Sequence, residues 1–367
     1  AFAIVGRRFV FYFPPFFDTS AHICTTGTGV PMSFYLGLDA GATKTFCLIG
    51  DEHGHIRGFG KAGTGNYEAN GVEAAARENR AAVERALRDA GLTLADIVAV
   101  GMGIAGADLP EDYVMLEREI FTPLFGSTRR VFRNDSMAGL RGGTRNPYGI
   151  VIACGTGCVC AGRNRSGDET RVGGLGGEFG DECTGTDIGR IGLRRVWQAR
   201  DGIIPPTLLT EKFVARSGCV DLEQLFYALY RREIVEADLE PMARLVAEAA
   251  YEGDAAACEI LERGGQYLGR MVNAVARRLG MERESFEVVM AGSVFKSRSP
   301  VLEDAMRTVI HAVCPEARLV MPMFEPVVGA LLMAMEMDHE VTDDVYRNLK
   351  EELRAASART GVPFTLE

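Results

Sequence analysis

Two stretches of the chain repeat one order of short apolar runs and turns. Each begins with an apolar run, a glycine-bearing turn, a second run, a polar turn and a third run. Short apolar runs bounded by turn residues predict β-strands. The six strands predicted in this way are 34–39, 45–50, 56–59, 149–153, 158–162 and 169–172.

Longer segments with helical periodicity follow each set of strands. Between Glu68 and Ala90 the apolar residues recur on one side, and Gly91 closes the pattern, which predicts a helix. The other predicted elements are strands at 97–102, 130–134, 286–291 and 318–322, and helices at 111–121, 135–140, 185–280 (broken at 202–206 and 218), 300–313, 326–337 and 343–358. This alternation predicts an α/β fold of two similar lobes, with a ligand in the cleft between them.

The predicted domains are 32–145, 146–337 and a C-terminal helix at 338–367. Residues 1–31 contain six phenylalanines within the first seventeen positions, and their apolar run at 9–17 contains two prolines. That run is much shorter than the ~20 residues of a membrane helix. We expect residues 1–31 to be an extension outside the fold, which would begin near Met32.

Composition narrows the function class. The chain has 367 residues, of which 47% are hydrophobic and 25% charged, and its net charge is −10. These values exclude global disorder, and the acidic balance argues against a nucleic-acid partner. No membrane partner is expected. Glycine is in excess at 43 residues, thirteen of them between Gly149 and Gly192, which indicates loops where the backbone approaches another group closely.

The nine cysteines form no C-x-x-C pair. We interpret them, including Cys154, Cys158 and Cys160, as small buried residues of a protein in the reducing cytoplasm. An iron–sulfur site is the alternative, with Cys183 and Cys219 as its candidate ligands.

Two glycine-bearing turns are candidate phosphate sites. The first is Asp39-Ala-Gly-Ala-Thr-Lys-Thr45, where Gly41 would let backbone N–H groups face a phosphate and Thr43, Lys44 and Thr45 could donate to it. Asp39 could hold Mg²⁺ through water. An ordinary hairpin turn with a solvated lysine is the alternative. The second turn is Cys154-Gly155-Thr156-Gly157-Cys158, whose glycines permit close approach and whose threonine adds a hydroxyl.

Three further motifs carry candidate chemistry. Asp135 stands where a strand passes into a helix, so it could accept a proton from a substrate hydroxyl or cap the helix. In the glycine-rich segment 173–182, Asp181 could bind a polyhydroxyl ligand or stabilise a helix start. Gly292 and Ser293 follow a predicted strand, which suits contact with a nucleoside or a plain tight turn.

Two other patterns are weaker signals. Gly101-Met-Gly-Ile-Ala-Gly106 is a literal G-x-G-x-x-G, but its glycines do not open a helix, which argues against a dinucleotide site. His53 and His55 could suggest a metal, but they lie in a predicted turn without a third ligand nearby in sequence.

The five chemical motifs in this order resemble the actin-like ATPase and sugar-kinase superfamily. Residues 34 to about 335 are most similar to the BadF/BadG/BcrA/BcrD-type ATPase family, which includes N-acetylglucosamine kinases. The resemblance implies two ribonuclease-H-like lobes with ATP and Mg²⁺ in a central cleft. It implies that the 39–45 and 155–157 turns hold phosphates, that Gly292 and Ser293 contact adenosine, and that Asp135 is the catalytic base.

The resemblance also implies a sugar acceptor. Asn66, Gly176 and Asp181 match amino-sugar contacts of the family, so N-acetylglucosamine or a related amino sugar is the expected substrate. A homodimer is compatible with this expectation. The chain departs from the family at Leu175, where the glycine-rich sugar loop often has tryptophan, and at Cys154 and Cys158, where serines are frequent.

Two other functions stay open at this stage. One is an ATPase activase that drives electron transfer to a dehydratase or reductase through an iron–sulfur cluster shared in a dimer. The other is a non-catalytic sugar sensor, against which the presence of both Asp39 and Asp135 argues.

Overall fold

The computed structural model describes residues 32–364, so the expected extension at 1–31 lies outside the described residues. The chain divides into two compact units. The first runs to Pro147 and resumes at Pro322, and the second is Tyr148–Met321. Residues 322–337, which the sequence analysis assigned to the second lobe, therefore fold with the first unit.

The N-terminal part of the first unit contains five strands, as the pattern predicted. The strands are β1 (Phe34–Ala40), β2 (Thr45–Asp51), β3 (Ile56–Ala62), β4 (Ile97–Ile104) and β5 (Arg129–Asn134), and the helices are α1 (Tyr67–Asn70), α2 (Val72–Ala90), α3 (Pro110–Leu116), α4 (Thr122–Phe125) and α5 (Asp135–Gly143). The predicted helix at 111–121 changes at Glu117 into a π-helical turn that continues to Phe121.

The second unit repeats this plan with a helical insertion. Its strands are β6 (Gly149–Cys154), β7 (Cys158–Arg163), β8 (Glu169–Gly173), β9 (Glu287–Ala291) and β10 (Arg318–Val320), and its helices are α6 (Gly185–Arg200), α7 (Leu209–Ser217), α8 (Leu222–Tyr230), α9 (Met242–Tyr251), α10 (Ala255–Leu279) and α11 (Pro300–His311). The long helical stretch predicted at 185–280 is therefore five separate helices.

Two C-terminal helices complete the first unit. They are α12 (Pro326–Met335) and α13 (Asp343–Thr360). Together with Tyr35, Phe46 and Leu48 of the sheet, they bury an apolar cluster that includes Val327, Leu331 and Leu349.

The two sheets have the same topology, which confirms the internal repeat and the α/β class. Their strand orders are β3-β2-β1-β4-β5 and β10-β9-β6-β7-β8. In each unit the first three strands pair antiparallel, and the fourth strand pairs parallel with both the first and the fifth. The first two strands form a hairpin, and the fourth strand runs parallel to the first. The hairpin turn and the C-terminal end of the fourth strand therefore lie at the same end of the sheet.

Glycines allow helices to pack directly on the first sheet and on each other. A Cβ added at Gly101 of β4 would lie 2.1 Å from the carbonyl oxygen of Ala330 in α12. A Cβ at Gly329 of α12 would lie 1.9 Å from the carbonyl oxygen of Ala138 in α5. Gly101 therefore lies within strand β4 and lets helix α12 pack against it. The G-x-G-x-x-G pattern is thus not a nucleotide loop.

No helix within residues 32–364 combines the length and apolar character needed to cross a membrane.

The contact at Gly329 gives a stability prediction. Gly329→Ala should lower the free energy of unfolding by about 1–3 kcal/mol, because the added methyl group overlaps backbone atoms that cannot rotate away. Gly139→Ala in α5 is the matched control, since no neighbouring atom lies within 4 Å of its added Cβ. That control should be neutral or stabilising by up to about 1 kcal/mol. Urea unfolding followed by circular dichroism measures both, and equal effects would contradict the packing account.

Candidate active site

The carboxylates of Asp39 and Asp135 are brought together by strand register and a glycine. Asp39, the penultimate residue of β1, is paired with Gly103 of β4. A Cβ at Gly103 would lie 3.4 Å from the Cα of Asp135 and 2.5 Å from the Cβ of Ala138. The start of α5 therefore packs against the strand position beside Asp39.

Asp39 lies in an environment that disfavours its charged form. Burial, followed by the charges of Asp135 and Glu325, raises its pKa to about 8, and the charge of Lys44 opposes this shift. Glu325 precedes Pro326 at the start of α12 and was not among the predicted site residues. Its only sequence signal is an acidic residue beside a helix-starting proline, which is common at helix N-termini.

Asp135 is not the N-cap of its helix. Asn134 takes that position, and its side-chain oxygen accepts a hydrogen bond from the Ser136 N–H at 3.1 Å. The Asn134 amide donates to Asp108 at 2.7 Å, which fixes the capping side chain. The capping interpretation of Asp135 is therefore wrong, and its role in proton transfer stays a prediction.

The turn between β1 and β2 is only partly available to a ligand. The Gly41 N–H donates to the Lys44 carbonyl at 3.0 Å, while the side chains of Thr43 and Lys44 are exposed. Thr45 is fully buried, and its hydroxyl donates to the Gly63 carbonyl at 2.8 Å. This hydroxyl holds two loops together in this structure, and the predicted phosphate contact of Thr45 stays a prediction.

Asn66 lies close to this region but also has a structural contact. It is 8% exposed, and its Oδ1 accepts from the Glu68 N–H as the N-cap of α1. The adjoining Tyr67 hydroxyl donates to Asp112 at 2.7 Å, and the other oxygen of Asp112 accepts from the Asp108 N–H. Asn66 is thereby tied to the loop that holds Asn134. Its predicted amino-sugar contact, through the amide nitrogen, stays a prediction.

In the second unit, the 155–157 turn packs against Gly292 and Ser293, the predicted nucleoside motif. The Gly155 N–H donates to the Gly157 carbonyl at 2.8 Å, which closes the turn between β6 and β7. A Cβ at Gly155 would lie 3.1 Å from Ser293 Oγ. Gly292 has a φ of +100°, and a Cβ there would lie 2.2 Å from the Cys154 carbonyl oxygen. Both motifs therefore form one surface.

A cavity adjoins that surface within the second unit. Its volume is about 880 Å³, within the range of small-molecule sites. Ser293, Val294 and Lys296 line one part of it, and Glu240 and Arg244 line another. The Thr156 hydroxyl donates to Glu240 at 3.1 Å, so the turn contacts the cavity wall.

The glycine-rich segment at 173–182 is organised by Asp181. This carboxylate is 4% exposed and accepts hydrogen bonds from the N–H groups of Gly174, Leu175 and Gly176 at 2.6–3.1 Å. The Asp181 carboxylate therefore holds the loop together in this structure, and the predicted sugar contacts of Asp181 and Gly176 stay predictions. Phe179, four residues after Leu175 in the same segment, is 75% exposed.

The predicted burial of the cysteines is confirmed for the strands of the second unit. Cys154, Cys158 and Cys160 are at most 1% exposed, and burial contributes to a raised pKa of the Cys160 thiol. Cys183, a candidate cluster ligand, is also buried, and Cys154 donates to its carbonyl oxygen. Cys183 is only 5% exposed, which weighs against its role as a ligand of a cluster shared at a protein surface.

The His53–His55 segment is a turn, as expected. The backbone N–H groups of both histidines donate to the buried Asp51 carboxylate at 3.0 Å. Within residues 32–364, no group of three or more histidine, cysteine or acidic side chains has the arrangement of a metal site.

Residues 36–334 match the model of the BadF/BadG/BcrA/BcrD ATPase family. The chain belongs to this family. It is 28% identical over 314 residues to "N-acetyl-D-glucosamine kinase" of Dictyostelium discoideum, a match that covers 82% of this chain and 97% of the relative. It is 26% identical to "N-acetylmuramic acid/N-acetylglucosamine kinase" of Clostridium acetobutylicum, covering 83% of this chain and 98% of the relative.

The fold also matches solved structures. A Chromobacterium violaceum protein with a provisional assignment as N-acetylglucosamine kinase superposes with a TM-score of 0.63 at 22% identity. The match covers 83% of this family member and 99% of the other chain. Since sequence identity is low, this likeness establishes the fold alone.

The raised pKa of Asp39 gives a pH prediction. Between about pH 4 and pH 8 the folded state holds a proton on Asp39 that the unfolded state has lost, so this stabilisation disappears as the pH rises through 8. Asp39→Asn keeps a neutral group at every pH. The difference in free energy of unfolding, Asp39→Asn minus wild type, should therefore increase between pH 5 and pH 9. The expected increase is on the order of 1–2 kcal/mol after allowance for partial exposure of Asp39. Urea unfolding in metal-free buffer measures this difference, and a pH-independent difference would contradict the shift.

Proposed function

We propose that this protein is an ATP-dependent kinase of amino sugars, with N-acetylglucosamine as the first acceptor to test. The names of the two curated relatives support the reaction class. The observation that carries the proposal is the position of Asp135, which begins α5 near Asp39 while Asn134 caps the helix.

Asp135 is assigned the role of general base. Its carboxylate would accept the proton of the acceptor hydroxyl as the hydroxyl oxygen attacks the γ-phosphorus of ATP. The bond from the γ-phosphorus to the bridging oxygen breaks, and ADP leaves with the bonding electron pair. Asn134 and Asp108 fix the helix start from which Asp135 projects, and positioning accounts for much of the rate in such reactions.

Asp39 is the candidate magnesium residue of the first unit, where waters and substrate phosphates would supply the other ligands, since the described residues contain no metal-binding group of three side chains. Mg²⁺ prefers oxygen ligands and is commonly held by one or two carboxylates, waters and substrate phosphates. Asp135 and Glu325 lie near enough to Asp39 to contribute to its raised pKa, after burial, and a cation would offset their charge. Asp39 would hold the ion through water. When bound, Mg²⁺ neutralises charge on the transferring phosphates.

The remaining predicted residues divide between the two units. In the first unit, Thr43 and Lys44 present exposed donors suited to phosphate oxygens. In the second, the 155–157 turn and Ser293 border the cavity that we assign to the nucleoside. Asn66 would contact the sugar through its amide nitrogen.

A sugar panel tests the function directly. ADP release should be stimulated by N-acetylglucosamine more than by glucosamine or glucose. A coupled assay for ADP measures this, with mass spectrometry of the phosphorylated product as confirmation. If no sugar in the panel stimulates ADP release, the kinase proposal fails.

Replacement of the general base tests the mechanism. Asp135→Asn should lower kcat by about 10²–10⁴-fold, because the amide cannot accept the proton. Nucleotide binding, measured by calorimetry, should stay within a factor of about three. Asp304→Asn, an exposed change on α11, is the matched control with wild-type kcat. Near-normal turnover of Asp135→Asn would remove the assignment.

A further inference from the structure

Glu240 has a position in the second unit that the proposed reaction has not yet used. It follows a short 3₁₀ helix and precedes Pro241, the N-cap of α9. It lines the 880 Å³ cavity together with Ser293. Its carboxylate also accepts the hydroxyl of Thr156 in the glycine turn, at 3.1 Å. Glu240 therefore contacts the turn and borders the cavity at once.

The side chain of Glu240 is held in place from a second direction. A Cβ added at Gly185, the first residue of α6, would lie 2.8 Å from Glu240 Cγ. The Gly185 N–H donates to the Gly155 carbonyl at 2.8 Å. The turn, the start of α6 and Glu240 are thus one packed assembly, so the carboxylate has a defined position before any ligand arrives.

The chemistry of this carboxylate limits what it can bind. An ionised carboxylate only accepts hydrogen bonds, and it has room for about four. Within the described part of the chain, Thr156 is the one donor to Glu240, and it uses Oε1. A phosphate beside Glu240 would be repelled by like charge. A neutral group with two neighbouring hydroxyl donors satisfies the carboxylate without this repulsion.

The neighbouring carboxylate in the cavity has a different role. Glu248 accepts a hydrogen bond from Arg244 Nε at 2.9 Å, so its charge is already paired. No arginine or lysine in residues 32–364 forms an ion pair with Glu240. Of the two acidic side chains that line this cavity, Glu240 is therefore the one suited to bind a neutral group with two hydroxyl donors.

We propose that Glu240 binds the 2′- and 3′-hydroxyls of the nucleotide ribose and thereby selects ribonucleotides over deoxyribonucleotides. This inference rests on the proposed function, because it assumes that the cavity takes the nucleoside. In a nucleoside triphosphate the ribose connects the phosphates to the base. Glu240 has the matching position: it accepts a hydrogen bond from Thr156 of the 155–157 turn, and it lines the same cavity as Ser293.

The test compares ligands as well as variants. Isothermal titration calorimetry gives the dissociation constants of ADP, 2′-deoxy-ADP and 3′-deoxy-ADP for the wild-type chain and for Glu240→Gln. Wild type should bind ADP about tenfold more tightly than either deoxy analogue, as expected for a lost hydrogen bond to a charged group. Glu240→Gln should weaken ADP binding about tenfold and change deoxy-ADP binding by less than about threefold.

A control variant and two contrary outcomes test whether Glu240 itself contacts the ribose. Glu252→Gln replaces the carboxylate at the C-cap of α9. Glu252 pairs with Lys212 and does not line the cavity, so this variant should bind all ligands as wild type does. Equal changes in the affinity for all three nucleotides, or no change, would overturn the ribose contact. Binding of ADP without sugar-stimulated turnover would leave the ribose contact standing while the kinase proposal fails. If wild type binds no ADP, both are overturned.

Discussion

The burial of Asp39 beside two further carboxylates is the constraint on which the candidate site depends. Asp39, Asp135 and Glu325 come from a strand and two helix starts that are far apart in sequence. They interact because α5 packs on Gly103, and because α12 packs on α5 and on Gly101. The packing of the helices buries Asp39 and holds like charges near it, and its raised pKa is the consequence of burial first and of repulsion second. A bound cation would remove that penalty, which links the electrostatics of the unit to its proposed chemistry.

The same topology serves different chemistry in the two units. Asp39 is the penultimate residue of β1, and the penultimate residue of β6 is Ala153. The second unit thus lacks a carboxylate at the position equivalent to Asp39. In compensation its first hairpin turn has two glycines, and Gly292 brings Ser293 against this turn. One unit therefore presents acidic groups and an exposed lysine, while the other presents backbone, hydroxyls and a cavity.

The sequence was sufficient for the fold and for part of the site. Strands, turns and their repetition are local patterns, so the two sheets and the places of Asp39, Asp135 and Gly155 could be predicted. The hydrogen-bond partners of polar side chains could not be predicted, because they come from residues that are distant in sequence. Thr45 and Asp181 look like ligand contacts in sequence, yet each satisfies backbone groups of a neighbouring loop. Glu325 was missed because α12 returns to the first unit, which no local pattern indicates.

The carboxylate constraint can be measured without reference to catalysis. Side-chain ¹³C NMR of aspartate-labelled protein in metal-free buffer, with Asp39→Asn used to assign the resonance, reports the titration of Asp39 itself. The account predicts a midpoint near pH 8, which shifts toward lower pH when Asp135 is replaced by asparagine. A midpoint near the ordinary aspartate value of about 3.9 in the wild-type protein would contradict it.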